Sequence, residues 1–160
     1  MFVIRCYRKS DIKQVTRIIR EGFLKFLLTR DPAPGAKEYW LERLSARKSN
    51  LPKREAFYST LPISFVAVKD GKVVGLAMGR RDELVEMFIT KRYHGDGIGR
   101  RLLQRFEHEC ARQGSNRYRI RSSLHAVPFY LKMGCKKTTG VRNFRGVKVL
   151  YMKKIIPMSE

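Results

Sequence analysis

Apolar spacing predicts two helices in the first third of the chain. Ser10 is a residue type that caps helix starts, and the apolar residues after it recur at every third or fourth position. These positions are Ile12, Val15, Ile18, Ile19, Phe23 and Phe26. Two prolines and a glycine in residues 31–35 should end this helix, and a shorter helix should follow through Trp40 and Leu44. Residues 45–62 carry basic and polar side chains and two prolines, so we expect a mobile loop there.

The pattern changes to strands in the middle of the chain. Residues 63–68 and 73–78 are rich in strand-forming side chains, and Asp70-Gly71 between them is a strong hairpin signal. Residues 84–90 predict a third strand, which runs directly into a segment with three closely spaced glycines.

After the glycines the pattern becomes helical again and then returns to strands. Apolar residues at helical spacing predict an amphipathic helix that ends near Gly114; they are Leu102, Leu103, Phe106 and Cys110. The remaining predicted elements are a strand at 118–122, a short helix at 126–133, and closing strands at 135–139 and 147–153. This order indicates one mixed α/β domain over residues 1–160, with an antiparallel meander feeding a strand–loop–helix unit.

The chain is strongly basic, with 35 Lys and Arg against 14 Asp and Glu and a net charge of +21. Such a field attracts polyanions such as nucleic acid, the ribosome or a phosphorylated ligand, although a solvated basic surface has the same composition. Arg117, Arg119 and Arg121 alternate along one predicted strand, where they could grip a polyanion or keep an exposed edge soluble. Residues 61–100 are close to neutral.

Cysteine usage and apolar run length point to a cytoplasmic protein without metal. Cys6, Cys110 and Cys135 are odd in number and form no CxxC pair, which argues against a disulfide framework or a zinc site. The longest apolar runs are too short to cross a bilayer, and the N-terminus lacks the apolar middle region of a signal peptide. We therefore expect no membrane partner.

The segment His94-Gly95-Asp96-Gly97-Ile98-Gly99 is a candidate anion site between a strand and a helix. Glycines allow several backbone N–H groups to converge on one anion, and the helix N-terminus adds partial positive charge. A pyrophosphate suits this arrangement. The Lys-Ser/Thr of a P-loop is absent, and alternate glycines fit the dinucleotide fingerprint poorly.

Two segments together resemble the GNAT superfamily of N-acetyltransferases. The family loop reads Arg or Gln, two residues, Gly, one residue, then Gly or Ala, and His94, Gly97 and Gly99 have that spacing. His94 departs from the usual first residue. Residues 123–135 are similar to the second family signature, with Ser123 where Asn is commoner and Cys135 in place of Phe.

The resemblance implies a central, mostly antiparallel sheet with a strand–glycine loop–helix coenzyme site and helices on both faces. It also implies transfer of an acetyl group from acetyl-CoA to a small amine or a protein amine by direct attack. Homodimers are common in the family, but no interface pattern stands out. The expected coenzyme-binding residues are Phe88, Ile89, His94, Gly95, Asp96, Gly97, Ile98, Gly99, Arg100 and Ser123.

The same resemblance suggests the catalytic groups. Tyr130 occupies the family position of the acid that protonates the departing thiolate, or is otherwise a core aromatic. Glu83 and Glu86 are candidate bases, alone or through a water; they differ in strand parity, and each could instead be a structural strand residue. His125 is expected to be structural, and Trp40 and Tyr39 are expected to belong to the core.

Charge leaves a second function open, which is a basic nucleic-acid- or ribosome-associated binding module on the same fold with little or no catalysis. It also bears on the acceptor. A polycationic acceptor is disfavoured by repulsion, and one that carries a carboxylate or phosphate is favoured. Asp82, Glu83 and Glu86 could still attract an amine to the reaction centre.

Overall fold

The computed structural model describes residues 1–28 and 31–157, which form a seven-stranded sheet with helices on both faces. The sheet order is β1-β2-β3-β4-β5-β7-β6. The strands are β1 Val3–Cys6, β2 Ile63–Lys69, β3 Lys72–Arg80, β4 Glu83–Ile89, β5 Arg117–Ser123, β6 Lys136–Phe144 and β7 Val147–Ile155. The helices are α1 Ile12–Gly22, α2 Ala36–Arg43, α3 Leu51–Tyr58, α4 Ile98–Arg112 and α5 Val127–Lys132. This arrangement confirms the predicted mixed α/β class.

Every strand pair in the sheet is antiparallel except β4 and β5. These two strands run parallel and pair only at Glu83↔Arg119 and Leu84↔Ile120. Past those two pairs they separate, so the sheet opens between β4 and β5 toward the glycine loop. This opening is where the candidate site lies.

A β-bulge in β4 changes the direction of its side chains. Met78 pairs with Glu86 and Gly79 pairs with Leu84, which leaves Val85 as an extra residue. Gly79 allows the close approach of the bulged strand, because a Cβ there would overlap the carbonyl oxygen of Glu83. Because of this extra residue, the side chains of Glu83 and Glu86 do not follow the regular alternation between the two faces of the sheet.

Each face of the sheet has its own apolar core. α4 and α5 cover one face with residues such as Leu102, Phe106 and Tyr130. The first three helices cover the other face, where Ile19 and Trp40 are buried. Truncating a fully buried residue such as Leu102 to alanine should cost about 2–5 kcal/mol.

Two elements differ from the sequence-based expectation. The predicted mobile loop at 45–62 contains α3, because Pro52 lies in the first turn of the helix, where its missing N–H has no cost. Along the chain Leu51, Arg54 and Tyr58 follow helical spacing. The strand β1 was not predicted; it pairs with β2 at the sheet edge.

The C-terminal hairpin is longer than predicted and folds back onto α2. β6 continues to Phe144 through an irregular register, and Arg145 (φ 47°) with Gly146 (φ 89°) forms the turn. Trp40 Nε1 donates to the carbonyl oxygen of Arg145 at 3.1 Å. Gly146 lies so close to Ala36 that a side chain at residue 146 would overlap it. In the described part of the chain, no helix has the length and apolar character needed to span a bilayer.

Candidate functional site

The opening between β4 and β5 leads into a cavity of about 310 Å³, here called the central cavity. Its floor comes from β4 and β5, and its walls come from the segment just after α1, from α2, α3 and α5, and from the β6–β7 turn. The volume is at the lower end of the range for small-molecule sites, roughly 300–1,000 Å³. The cavity is therefore sized for a small substrate.

Glu86 lies on β4 just after the bulge and lines the central cavity. Burial raises the pKa of this half-buried carboxyl to about 7, and the nearby Arg54, Arg121 and Arg43 oppose that rise. A carboxyl with this pKa is partly ionised at neutral pH and can accept a proton there. Glu86 thus has the property that a general base requires.

Glu83 also lines the cavity. Regular strand alternation would place Glu83 and Glu86 on opposite faces of the sheet, but both side chains border the same cavity. The physical reason is the bulge at Val85, which shifts the alternation by one residue. Glu83 Oε2 is already engaged in ion pairs, at 3.7 Å from Arg80 and 3.4 Å from Arg119. These ion pairs stabilise the ionised carboxylate of Glu83, which makes it a weaker proton acceptor than Glu86.

Tyr130 projects from α5 into the lining of the cavity and is only 5% exposed. Burial raises its pKa, with further contributions from Cys135 and Glu86. The phenol therefore stays protonated across the physiological range and is available as a proton donor. Glu86 and Tyr130 thus place an acceptor and a donor of protons on one cavity.

The glycine loop has the backbone geometry of an anion cradle. Gly95 and Gly97 have φ of 87° and 81°, and a Cβ at either would meet no atom within 4 Å. α4 begins at Ile98, and among the described residues no side chain caps its N-terminus. The N–H groups of its first turn are thus free for a ligand, as a pyrophosphate requires.

The other residues predicted to hold the coenzyme differ in what they can offer. Ile98 has a buried side chain and can contribute only its backbone, whereas Asp96 and Arg100 are exposed. The ring of Phe88 packs against that of Phe23, with centroids 5.8 Å apart, and Phe88 also borders the central cavity.

His94 turns back onto the end of β4. Its Nε2–H donates to the carbonyl oxygen of Ile89 at 2.8 Å. The ring therefore ties the loop to the strand that leads into it. Ser123, at the end of β5, uses its hydroxyl to accept the N–H of Ala126 at 3.2 Å, which shapes the turn before α5.

A stack of aromatic rings that the sequence did not predict crosses the opening. The ring of Phe26, beyond α1, stacks on His125 with centroids 4.1 Å apart and an interplanar angle of 14°. It also lies 5.9 Å from the ring of His94. The sequence pattern places Phe26 on the apolar face of a helix, and it does not show the ring partners, which come from the turn between β5 and α5 and from the glycine loop.

Arginines are the other feature that sequence reasoning missed. Five of them line the central cavity: Arg43, Arg54, Arg80, Arg121 and Arg145. Arg54 is only 3% exposed and comes from the segment predicted to be a mobile loop. Of the strand arginines proposed to grip a polyanion, Arg121 lines the cavity and Arg117 does not. Trp40 is buried as expected, but Tyr39 is 42% exposed.

Comparisons with known proteins agree with this geometry. Residues 38–156 match the family model of the acetyltransferase (GNAT) domain. A comparison with curated protein sequences finds no match. In residues 1–28 and 31–157, no three His, Cys, Asp or Glu side chains come together in a way that could hold a metal ion.

Solved structures share the fold at low sequence identity. A GCN5-related N-acetyltransferase from Rhodopseudomonas palustris is 18% identical, with a TM-score of 0.77 over 96% of this chain and 95% of that one. The PaiA N-acetyltransferase from Thermoplasma acidophilum, in complex with coenzyme A, is 18% identical, with a TM-score of 0.72 over 97% and 99%. A GNAT superfamily phosphinothricin acetyltransferase from Sinorhizobium meliloti, in complex with acetyl-CoA, is 18% identical, with a TM-score of 0.67 over 97% and 88%.

Proposed function

Because the chain belongs to the GNAT acetyltransferase family, we propose that it transfers an acetyl group from acetyl-CoA to a primary amine by direct attack. The observation that carries the proposal is the meeting of Glu86 and Tyr130 on one cavity, at the point where β4 and β5 separate. A proton acceptor and a proton donor are the two groups that this reaction needs.

The glycine loop and the free end of β4 would hold the coenzyme. Backbone N–H groups of Gly95, Gly97 and the first turn of α4 suit the pyrophosphate, whereas the N–H of Asp96 donates to the carbonyl oxygen of Tyr93 at 3.4 Å. The backbone of Phe88 and Ile89 borders the opening between the strands and could pair with the pantetheine arm. Two structural neighbours that share this fold were solved with coenzyme A or acetyl-CoA.

The chain's own side chains then move the protons. Glu86 takes a proton from the acceptor ammonium, directly or through a water, which leaves a neutral amine. The amine nitrogen bonds to the thioester carbonyl carbon, the carbon–sulfur bond breaks, and one of the two protons on the nitrogen leaves to solvent. The thiolate receives a proton from Tyr130, so the products are an N-acetyl amide and a free thiol. Solvent then returns a proton to the Tyr130 phenolate and removes the proton held by Glu86, which restores both groups.

Calorimetry and a thiol-release assay test the proposal. We expect acetyl-CoA to bind in the micromolar range and thiol to appear only when an amine is present. An absence of binding at millimolar acetyl-CoA would contradict the coenzyme role. Thiol release that is insensitive to added amine would contradict transfer to an amine.

The net charge of +21 supports a second candidate, a basic module that binds nucleic acid or the ribosome. Neutralised phosphates would make such binding fall steeply with salt. Binding of a single-stranded RNA at low salt, measured by fluorescence anisotropy, tests it. Strong RNA binding without any acetyl-CoA binding would favour this candidate over the enzyme.

A further inference from the structure

We propose that the acceptor is a small amine that carries an anionic group, and that Arg54 and Arg121 hold this group in the central cavity. The inference rests on the proposed acetyl transfer and names the substrate class of the same site. Glu86 would receive the amine end, and the two arginines would receive the anion. Carboxylates and phosphonates share the chemistry that a guanidinium recognises.

The charges of the cavity do not balance within the described structure. Glu83 is paired with Arg80 inside the cavity and Arg119 outside it. Arg145 donates to the hydroxyl of Tyr39 at 2.7 Å. Three further arginines of the cavity, on α2, α3 and β5, form no ion pair with another described residue: Arg43, Arg54 and Arg121.

These three face a single carboxyl, Glu86, which is half protonated near neutral pH because burial raises its pKa to about 7. The cavity therefore holds an excess of positive charge where an acceptor must bind. A cationic amine without an anion would enter against that excess, whereas an anionic group would offset it.

Arg54 is the strongest single observation. Its guanidinium is buried between the rings of Phe57 and Tyr58, at 5.1 and 4.9 Å from their centroids. Its only hydrogen-bond partner in the described part of the chain is the Tyr58 hydroxyl, at 3.4 Å from Nε and 3.3 Å from Nη2. A guanidinium has five N–H donors, so the Tyr58 hydroxyl leaves several donors of Arg54 for a further acceptor. A ligand anion would supply the missing acceptor.

Arg121 is oriented by an aromatic ring in a similar way. The guanidinium carbon lies 3.4 Å from the ring centroid of Phe144, and no ion pair or hydrogen bond engages it among the described residues. A stacked guanidinium keeps its in-plane N–H groups free for a bidentate contact with an oxyanion. Arg54 and Arg121 thus approach the cavity from α3 and β5 with donors to spare.

The size and walls of the cavity favour a small molecule over a polypeptide. About 310 Å³ accommodates a ligand of amino-acid size, and aromatic side chains form part of a wall that is otherwise largely polar. These include Phe23, Trp40, Phe57 and Phe144. An amine with a compact apolar body and one anionic group matches this lining.

Matched acceptor triplets test the proposal. Each triplet joins an α-amino acid, its decarboxylated amine and its aminophosphonate, for example phenylalanine, phenethylamine and 1-amino-2-phenylethylphosphonate. We expect kcat/KM of the better anionic member to exceed that of the neutral amine by about 30-fold or more, as a charge-assisted bidentate contact implies. The two anionic members distinguish carboxylate from phosphonate. Equal values across the triplet, or a free-amino peptide that outperforms all small amines, would overturn the proposal.

Variants locate the anion. Arg121→Gln should lower kcat/KM for the anionic member about tenfold or more, mostly through KM, so that this member loses most of its advantage over the neutral amine. Arg117→Gln is the matched control, because it removes the same charge from the same strand outside the cavity. Equal effects of Arg121→Gln and Arg117→Gln would contradict the assignment.

Arg54→Lys tests the second arginine. The substitution keeps the buried positive charge but loses the two parallel N–H donors of the guanidinium, so it should also lower the preference for the anionic acceptor. Circular dichroism checks that the variant is folded.

A binding readout separates this inference from the proposed reaction. N-acetylphenylalanine should raise the melting temperature of the protein more than N-acetylphenethylamine, and Arg121→Gln should abolish the difference. If acetyl-CoA fails to bind while this difference persists, the reaction is wrong and the anion site stands. If acetyl transfer occurs but the two N-acetyl compounds bind alike, the anion site is wrong and the reaction stands.

Discussion

The glycine loop and the central cavity adjoin the same strand, β4, but the loop would bind its ligand through backbone groups and the cavity through side chains. The loop consists of consecutive residues, and its proposed contacts use backbone N–H groups at the glycines and at the start of α4. The cavity combines side chains from three helices and five strands, many of which lie far apart in sequence. A backbone cradle recognises a part common to all substrates of a family, whereas a side-chain cavity can change its ligand one residue at a time.

The largest expected effect comes from Glu86→Gln, which removes the proposed base and leaves the glycine loop intact. We expect kcat to fall by about 10²–10³ with little change in acetyl-CoA affinity. In the unmodified protein, kcat at saturating acceptor should rise with pH as Glu86 ionises, with a midpoint at about 7. The variant should lack this rise of kcat with pH. Glu83→Gln is the matched control, and a loss of activity equal to that of Glu86→Gln would contradict the assignment.

The same variant has a predicted effect on stability. A carboxyl with a raised pKa in the folded state binds its proton more tightly than in the unfolded chain, so folding loses stability as pH rises from 4.5 to about 7. Glu86→Gln removes that loss and should increase the free energy of unfolding above pH 7 by on the order of 2 kcal/mol. Below pH 4.5 the gain should disappear. Urea titrations at pH 4 and pH 8 measure both values.

Gly97→Val tests the role of the glycine loop in coenzyme binding. Valine at φ 81° is strained and should displace the start of α4, so we expect acetyl-CoA affinity to fall by about 100-fold. Gly35→Val is the matched control: Gly35 has φ 80°, precedes α2, and has open space at its Cβ position. It should show a similar loss of melting temperature with unchanged affinity. Equal losses of affinity would mean that the loop is not the coenzyme cradle.

Tyr130→Phe is expected to have a smaller effect, confined to turnover. The substitution keeps the ring in the core and removes only the hydroxyl, so kcat should fall by roughly 10–100-fold at unchanged acetyl-CoA affinity. Stopped-flow detection of the thiol measures this step. Turnover equal to that of the unmodified protein would remove Tyr130 as the proton donor.

His94→Ala should have the smallest effect. The His94 ring bonds the carbonyl oxygen of Ile89 and does not face the backbone N–H groups of the loop. We expect a change of less than about threefold in acetyl-CoA affinity, since an exposed neutral hydrogen bond contributes little. A loss of more than tenfold in calorimetry would show that the ring takes part in holding the coenzyme.

The same contrast explains what the sequence could predict. The hairpin at Asp70-Gly71 was predicted because its turn is specified by two adjacent residues, both of which adopt positive φ. The glycine loop was predicted because its strand, glycines and helix are consecutive. Local features of this kind need no knowledge of the rest of the fold.

The cavity arginines could not be predicted, because their roles depend on distant packing. Arg54 lies in a polar segment with two prolines, and only its burial against Tyr58 turns it into a candidate ligand. The bulge at Val85 depends on how β3 pairs with β4, so the shared placement of Glu83 and Glu86 was hidden as well. Glu83 and Glu86 themselves were predicted as candidates from the family resemblance and from their place on the strand before the glycine loop.

The anchoring of the β6–β7 turn on α2 has a consequence for folding kinetics. A hydrogen bond joins Trp40 and Arg145, which are 105 positions apart in the sequence. This wall of the central cavity therefore forms only when a very long segment of chain closes. The glycine loop needs only neighbours along the chain. We therefore expect the coenzyme cradle to acquire protection from hydrogen exchange early in refolding and the substrate-selecting wall to acquire it last.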